Sequence, residues 1–480
     1  MKLRFPLGFQ WGTAMSAFQT EMGSPGESVF KGTDWYAWTH SSVIRDQNLV
    51  SQDFPEEGDD FWNRYEEDIS NAVALGNNSI RLSIEWARIF PDSTRHLKCR
   101  VKRNSSRGTI DVILNEEQRK DLDRHASEPA VRHYRQILGF ARKSGLSVFL
   151  TLYHWPLPVW LHDPVGAHLS EGVSGPTGWL DAGAVVEFGK YADFASRAFG
   201  DLVDQWETIN EPEVIATQGY FFGETAGFPP GLNDPIKTFQ VGKNLAYAHA
   251  VAYRNIKRNR PETPVGVGTA PQYICAGVDN AQSRRAAEYA SYLNNEWFLN
   301  AIVMGRFDHD LDMVCDEIAE GLPGADFLGI DYYQRVRISR PESAPVEDTL
   351  DFEIMPCLDC SDFNWDIYPE GIREVAKWVF QKYRLPIYIL ENGIADASDR
   401  KRGKFIHDHL AQLAKAIRED GVPVKGYFHW SLIDNFEWAK GFSMRFGLYE
   451  VDYATKKRTR RNSAFVYENI CRSGEIEIND

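Results

Sequence analysis

The feature that most limits the fold is a rhythm of short apolar runs. Eight of them recur along the chain, at 9–15, 79–84, 146–152, 202–209, 264–268, 325–330, 385–390 and 424–428. Each is too short for a typical helix and reads as a strand buried on both faces. Helical stripes lie between them. Val185, Phe188, Ala192, Ala195 and Phe199 fall at three- and four-residue steps, as do Ile406, Leu410, Leu413 and Ile417. Trp62, Tyr65, Ile69 and Val73 repeat the pattern, with Gly76 placed where a helix should stop. Eight strands alternating with helices imply a parallel sheet that closes on itself. The expected fold is therefore α/β: a single (β/α)8 TIM barrel over 1–480, with long βα-loop insertions near 92–128, 155–180, 219–235 and 332–366. The first insertion is very polar and reads as a decorated surface excursion. No Pro/Gly/Ser linker and no internal repeat divides the chain.

In such a barrel the site forms at the carboxyl ends of the strands. The residues there are Gln19, Arg81, His154-Trp155, Asn210-Glu211, Asp331-Tyr332-Tyr333, Glu391-Asn392 and His429-Trp430; the fifth strand offers nothing assignable. Amides, carboxylates, a guanidinium, an imidazole, phenols and indoles make a polar cup with aromatic walls. That inventory suits a sugar, which is apolar on its ring faces and hydroxylated at its rim. Glu211 and Glu391 each follow an apolar run directly. Alone, either reads equally well as a capping or salt-bridging glutamate. Opposed across a ligand, they are the pair that cleaves glycosidic bonds. Arg81 needs a partner if buried, either in a structural ion pair or beside Glu391, whose anion it would favour. His154 reads as a core histidine or a site residue, and Trp430 and Trp438 as core aromatics or platforms. Glu437, between Phe436 and Trp438, suits a bidentate grip on vicinal hydroxyls.

Charge narrows the partners. A net charge of −15 disfavours nucleic acid or an anionic membrane, and the basic run 456–461 reads as a solvated turn. No apolar run approaches the roughly 18 residues of a membrane span, and the first residues carry no secretory apolar core. The six cysteines are scattered, and only Cys357 and Cys360 are closely spaced. One such pair is a weak zinc or redox motif, so ordinary thiols in a reducing, cytoplasmic compartment are expected.

Longer motifs carry a resemblance. Residues 9–14 with Gln19, Arg81 to Trp86, Tyr153 to Pro158, Thr208 to Pro212, Glu391-Asn392-Gly393 and His429 to Trp438 are similar, in order, to those of the family 1 glycoside hydrolases. The resemblance covers about 430 residues, and the wording at 154–158 and the 92–128 excursion look like the archaeal β-glycosidase branch. It implies a retaining β-glucosidase or β-galactosidase with Glu211 as acid/base and Glu391 as nucleophile, supported by Arg81. It further implies that Gln19, His154, Asn210, Glu437, Trp430 and Trp438 hold the first sugar, with Tyr333 beside the nucleophile and Phe446 at the edge. Relatives acting on phosphorylated sugars lack the glutamate at 437, so a plain sugar is expected. Two positions depart from the family pattern: Asp331 stands where asparagine is usual, and Leu390 where threonine is frequent.

The expected reaction is a double displacement on small-molecule β-glycosides, with no metal and no organic cofactor. Glucosyl, galactosyl and fucosyl residues remain open as the substrate. Alternatives are a transglycosylase using the same intermediate and an inactive carbohydrate-binding barrel. The archaeal resemblance implies a homo-oligomer, a tetramer or a dimer.

Overall fold

A computed structural model describes residues 2–23, 26, 28–345 and 351–478. Eight parallel strands close into a barrel in sequence order. They are β1 (Gln10–Met15), β2 (Ser79–Ser83), β3 (Ser147–Thr151), β4 (Gln205–Asn210), β5 (Val265–Thr269), β6 (Phe327–Asp331), β7 (Ile387–Asn392) and β8 (Val424–Trp430). The helices that separate or follow them are α1 (Phe61–Ala74), α2 (Glu128–Lys143), α3 (Gly183–Phe199), α4 (Pro235–Asn259), α5 (Ala281–Ser291), α6 (Glu370–Tyr383), α7 (Arg402–Arg418) and α8 (Ser463–Ser473). Gly76 lies just past α1 with φ of +78°, a conformation that ends the helix at little steric cost. Strands β4, β6, β7 and β8 run beyond their apolar runs to include Asn210, Asp331, Glu391-Asn392 and His429-Trp430. These polar residues still pair in the ladder, through register shifts at Glu207/Asn210, Ile330/Asp331 and Ile389/Asn392.

Inside the barrel the side chains of Phe149, Phe327, Tyr388 and Phe428 pack edge to face, with ring centroids 5.0–5.6 Å apart. This plug fills the interior, so the open cup lies above it at the carboxyl ends. After α5 the chain continues through two π-helical stretches, Tyr292–Glu296 and Asn300–Met304. Outside the barrel Lys2–Arg4 pairs antiparallel with Glu475–Glu477.

The 92–128 insertion is more firmly anchored than a surface excursion. It forms a hairpin (Arg100–Arg103 with Thr109–Ile113) and a helix (Glu116–His125) whose N-terminus Asn115 and Gln118 close with a capping box. Val112 and Leu122 are fully buried, and ion pairs Asp111–Arg258 and Arg119–Asp193 tie the segment to α4 and α3. In the 332–366 insertion, strand Arg335–Ser339 joins Tyr273–Ala276 and Glu353–Ile354 in a small sheet.

Two expectations are corrected. Cys357 and Cys360 are joined as a disulfide, with Cα atoms 5.5 Å apart, whereas the other four cysteines are free. The Asp366 carboxylate accepts the N–H groups of Leu358 and Asp359, folding the turn that brings the two sulfurs together. The basic run 456–461 is not a solvated turn either. Lys457–Arg460 is a strand of a hairpin, and Arg458, Arg460 and Arg461 pair with Asp68, Glu468 and Asp434. Among the described residues no helix is long and apolar enough to cross a membrane.

Candidate active site

Glu211 directly follows β4 and caps the helix Pro212–Tyr220 in a left-handed conformation, its N–H bonded to Gly268 O at 2.9 Å. Pro212 fixes the helix start, so the turn aims the Glu211 side chain over the barrel. Glu391 is the penultimate residue of β7. Gly393 follows, at a point where a Cβ would overlap the Trp430 carbonyl oxygen. Carboxylate oxygens of Glu211, Glu391 and Asp331 all lie within 4.8 Å of one another, and all three residues are buried.

The environments of the two glutamates differ. Glu391 accepts Arg81 Nη1 at 2.6 Å and the Tyr333 hydroxyl at 2.5 Å. Burial raises its pKa above the ordinary range, but Arg81 and the Tyr333 hydroxyl favour its anion and hold that rise below the one at Glu211, so it is the first of the pair to ionise. Glu211 has no such donors. Burial, then the charges of Glu391 and Glu213, push its carboxyl well above the ordinary range. Burial and the charge of Glu391 likewise keep the Tyr333 phenol protonated and able to donate.

Arg81, from β2, settles the choice left open above by doing both things at once. Its Nε and Nη2 grip Glu207 at 2.8 and 3.0 Å, while Nη1 reaches Glu391 and Nη2 also reaches Asn210 Oδ1 at 2.5 Å. Glu207 is a central residue that the sequence reading missed. The available signal was a carboxylate inside an apolar run, which obliges a buried counter-ion. The fifth strand contributes by omission: a Cβ on Gly268 would overlap Glu207 Oε1 and come 3.1 Å from Asp331 Oδ2.

Around this floor stand the walls. Gln19 Nε2 donates to Asn435 Oδ1 at 3.1 Å and to Glu437 Oε2 at 3.3 Å. Burial and the charge of Glu391 raise the Glu437 carboxyl to about 8, opposed by Gln19. His154 Nε2 lies 3.3 Å from the Asn210 amide, and its ring is nearly parallel to those of Trp430 and Trp438, each 11° away in tilt. Burial and Arg81 hold the His154 imidazole neutral. Phe446 packs 6.2 Å from both Tyr333 and Trp365, and Phe363 stacks on Trp365 at 4.3 Å, adding two aromatics not anticipated from sequence.

Three strand-end residues face away from the cup, as the alternation of a strand requires. Tyr332 donates to Tyr368 O. Asn392 bonds Tyr332 O and Tyr427, and His429 lies against Tyr427 and Tyr467. The remaining candidates, Gln19, Arg81, His154, Asn210, Glu211, Tyr333, Glu391, Trp430, Glu437, Trp438 and Phe446, converge on one region. A second close trio, Asp308, Asp310 and Asp316, belongs to the segment leading into β6 rather than to the mouth.

A barrel closed by sequential βα units, with paired carboxyls over an aromatic-walled cup, belongs with the enzymes that cut glycosidic bonds. Comparison with known proteins makes this specific. Residues 1–98 and 123–476 match the glycosyl hydrolase family 1 description, so the chain belongs to that family and is a glycoside hydrolase. The unmatched interval falls on the hairpin-and-helix insertion. A β-galactosidase of Saccharolobus solfataricus is 38% identical, over 98% of this chain and 96% of that protein. The β-galactosidase of Sulfolobus acidocaldarius is 37% identical, over 99% and 96%. The crystal structure of the β-glycosidase from Thermosphaera aggregans superposes with a TM-score of 0.92 at 36% identity, covering 99% of this chain and 98% of that one.

Proposed function

We propose that the chain is a retaining β-glycosidase that removes terminal non-reducing β-D-glucosyl, galactosyl or fucosyl residues, with Glu391 as nucleophile and Glu211 as acid/base. The observation that carries this assignment is the asymmetry between two close carboxyls. Oxygens of the pair approach within 4.8 Å, which suits the roughly 5–5.5 Å carboxyl separation of retaining enzymes and not the roughly 6.5–9.5 Å of inverting ones. One carboxyl is hydrogen-bonded as an anion and the other is kept protonated.

In the first step a Glu391 oxygen attacks the anomeric carbon while Glu211 transfers its proton to the departing glycosidic oxygen. The C–O bond to the aglycone breaks as the ester bond to Glu391 forms. Glu211, now ionised, takes a proton from water, whose oxygen displaces Glu391 and restores both carboxyls. Gln19, Glu437, His154 and Asn210 supply the polar grip on the sugar, and Trp430, Trp438 and Phe446 the apolar contact. Relatives named β-galactosidase and β-glucosidase support galactosyl and glucosyl residues as the sugars. Residues 1–480 would act as one catalytic domain. A similar β-glucosidase structure, described as a mutant derived from a hyperthermophilic tetrameric structure, supports a homo-oligomer. A cytoplasmic location loses part of its basis to the Cys357–Cys360 bond.

The test is hydrolysis of p-nitrophenyl β-glycosides with the product anomer followed by NMR. A β-anomer formed first, with Glu391→Gln folded and inactive, is the expected result. A first-formed α-anomer, or residual activity of a percent in Glu391→Gln, would remove the assignment.

A further inference from the structure

The hairpin that leads into β6 pairs Arg306–Phe307 with Glu317–Ile318. Its loop carries Asp308, Asp310, Asp312 and Asp316. Calcium loops draw oxygens from their first, third, fifth and ninth residues and turn sharply at the sixth, usually a glycine. Counted from Asp308, the four aspartates hold those four places. The sixth residue is Met313, whose φ of +73° is the left-handed conformation a glycine would supply. Its N–H bonds Asp308 Oδ2 at 2.8 Å, and the Tyr292 hydroxyl donates to the same oxygen at 2.7 Å. Acids on a loop mean little alone, but here one of them is buried and incompletely satisfied. Asp308 is 2% exposed, and its Oδ1 is sealed from solvent without a hydrogen-bond donor. Such an oxygen is costly in the interior unless something positive meets it. Carboxylate oxygens of Asp308, Asp310 and Asp316 also lie within 4.8 Å of one another. Oxygens bound to one calcium at about 2.3–2.6 Å stand no more than about 5 Å apart, so the three fit a single ion. Among the described residues no protein cation pairs with them, because Lys243 of α4 and His309 reach Glu317 instead, at 3.8 and 2.8 Å. Burial and the charges of Asp308, Asp310 and Asp312 push the nearby Tyr289 phenol up, as an uncompensated negative field should.

We propose that residues 308–316 bind one calcium ion through the carboxylates of Asp308, Asp310 and Asp316. The ion is structural. It joins the two ends of the hairpin loop and takes no part in cleaving the glycoside. Donors that are all oxygen select a hard cation over zinc or copper. Three crowded carboxylates suit calcium better than magnesium, which keeps several of its waters and demands a near-ideal octahedron. The twelfth residue, a glutamate that closes the ring with two oxygens in strong calcium loops, is Ala319 here. Binding therefore falls at the weak end of the range, with Kd of about 0.1–1 mM.

Trp297 can report on the site, because its indole N–H bonds the Asp308 carbonyl at 2.9 Å. In the full-length chain, dialysed against EGTA, added Tb3+ should luminesce on tryptophan excitation. Calcium at about 10 mM should displace that signal, and the same concentration of magnesium should leave most of it. Asp310 is exposed, so Asp310→Asn should fold and lose the signal. Glu211, Asp331 and Glu391 form the other close trio, so Glu391→Gln is the control and should keep it. An absent signal, one lost in Glu391→Gln but kept in Asp310→Asn, or one displaced equally by magnesium overturns the proposal. A second measurement uses calcium itself. At about 10 mM it should raise the thermal midpoint of the wild type by about 1–3 °C and leave that of Asp310→Asn unchanged. Equal rises in both, or none in the wild type, count against the site in the same way.

Discussion

Arg81 shows how much one side chain can decide. Its planar fork satisfies Glu207 with two donors and still presents a third to Glu391. A lysine carries the same charge at a single point and cannot span both partners. Arg81→Lys should therefore lower kcat by roughly 100-fold or more. Glu391 would lose a donor that favours its anion, so the acid limb of kcat/KM should move to higher pH. Tyr333→Phe removes the second donor and should move the same limb in the same direction, with a smaller loss of kcat. Steady-state kinetics across pH measures both. The need for a buried counter-ion at Arg81 was legible in the sequence because a guanidinium inside an apolar strand has few outlets. Glu207 was not recognised as that partner, since a reader of strand ends looks past the middle of a run.

The strands and helices were legible for the same physical reason that makes them form. Buried parallel strands need continuous apolar runs, and the helices that cover them need stripes. Boundaries were less legible where polar residues complete a strand, as at Asn210, Asp331 and Trp430, because the ladder accepts them whatever their side chains. The fifth strand was opaque for a different reason: its part at Gly268 is the absence of a side chain. Gly268→Ala should overlap Glu207 Oε1 and cost about 1–3 kcal/mol, seen as a lower midpoint in denaturant unfolding. The polar insertion hides its anchors within a charged stretch. Leu122, fully buried there, should lose about 2–5 kcal/mol on mutation to alanine without a change in kcat. The direction each strand-end side chain takes was not legible, because alternation gives opposite faces to two neighbours and the apolar runs do not show which of them points inward. Tyr332, Asn392 and His429 were therefore grouped with residues whose side chains they do not join.

At the scale of the molecule, buried acids tie stability to pH. Glu213 is 7% exposed; its Oε1 accepts the Ala270 N–H, and its Oε2 has no partner. Burial raises its pKa from 4.5 to about 8. The folded state thus holds a proton that the unfolded chain has released, and the sign follows. The stabilisation is complete below the unfolded value of 4.5 and is lost as pH rises through about 8. Glu213→Gln should remove about one proton equivalent from that slope, roughly 1.4 kcal/mol per pH unit between those values, as read from denaturant melts at several pH values.

The neighbour of β1 in the closed barrel that is made last is β8, whose residues are 424–430. During synthesis the first strand must therefore wait, one edge unpaired, while hundreds of residues follow it off the ribosome. At roughly 5–20 residues per second that delay lasts about 20–90 s, long enough for nascent strands of two chains to find each other. A barrel whose seam joins its first strand to its last cannot seal one domain half at a time. Until β8 arrives, that edge of β1 is open to any other unpaired strand.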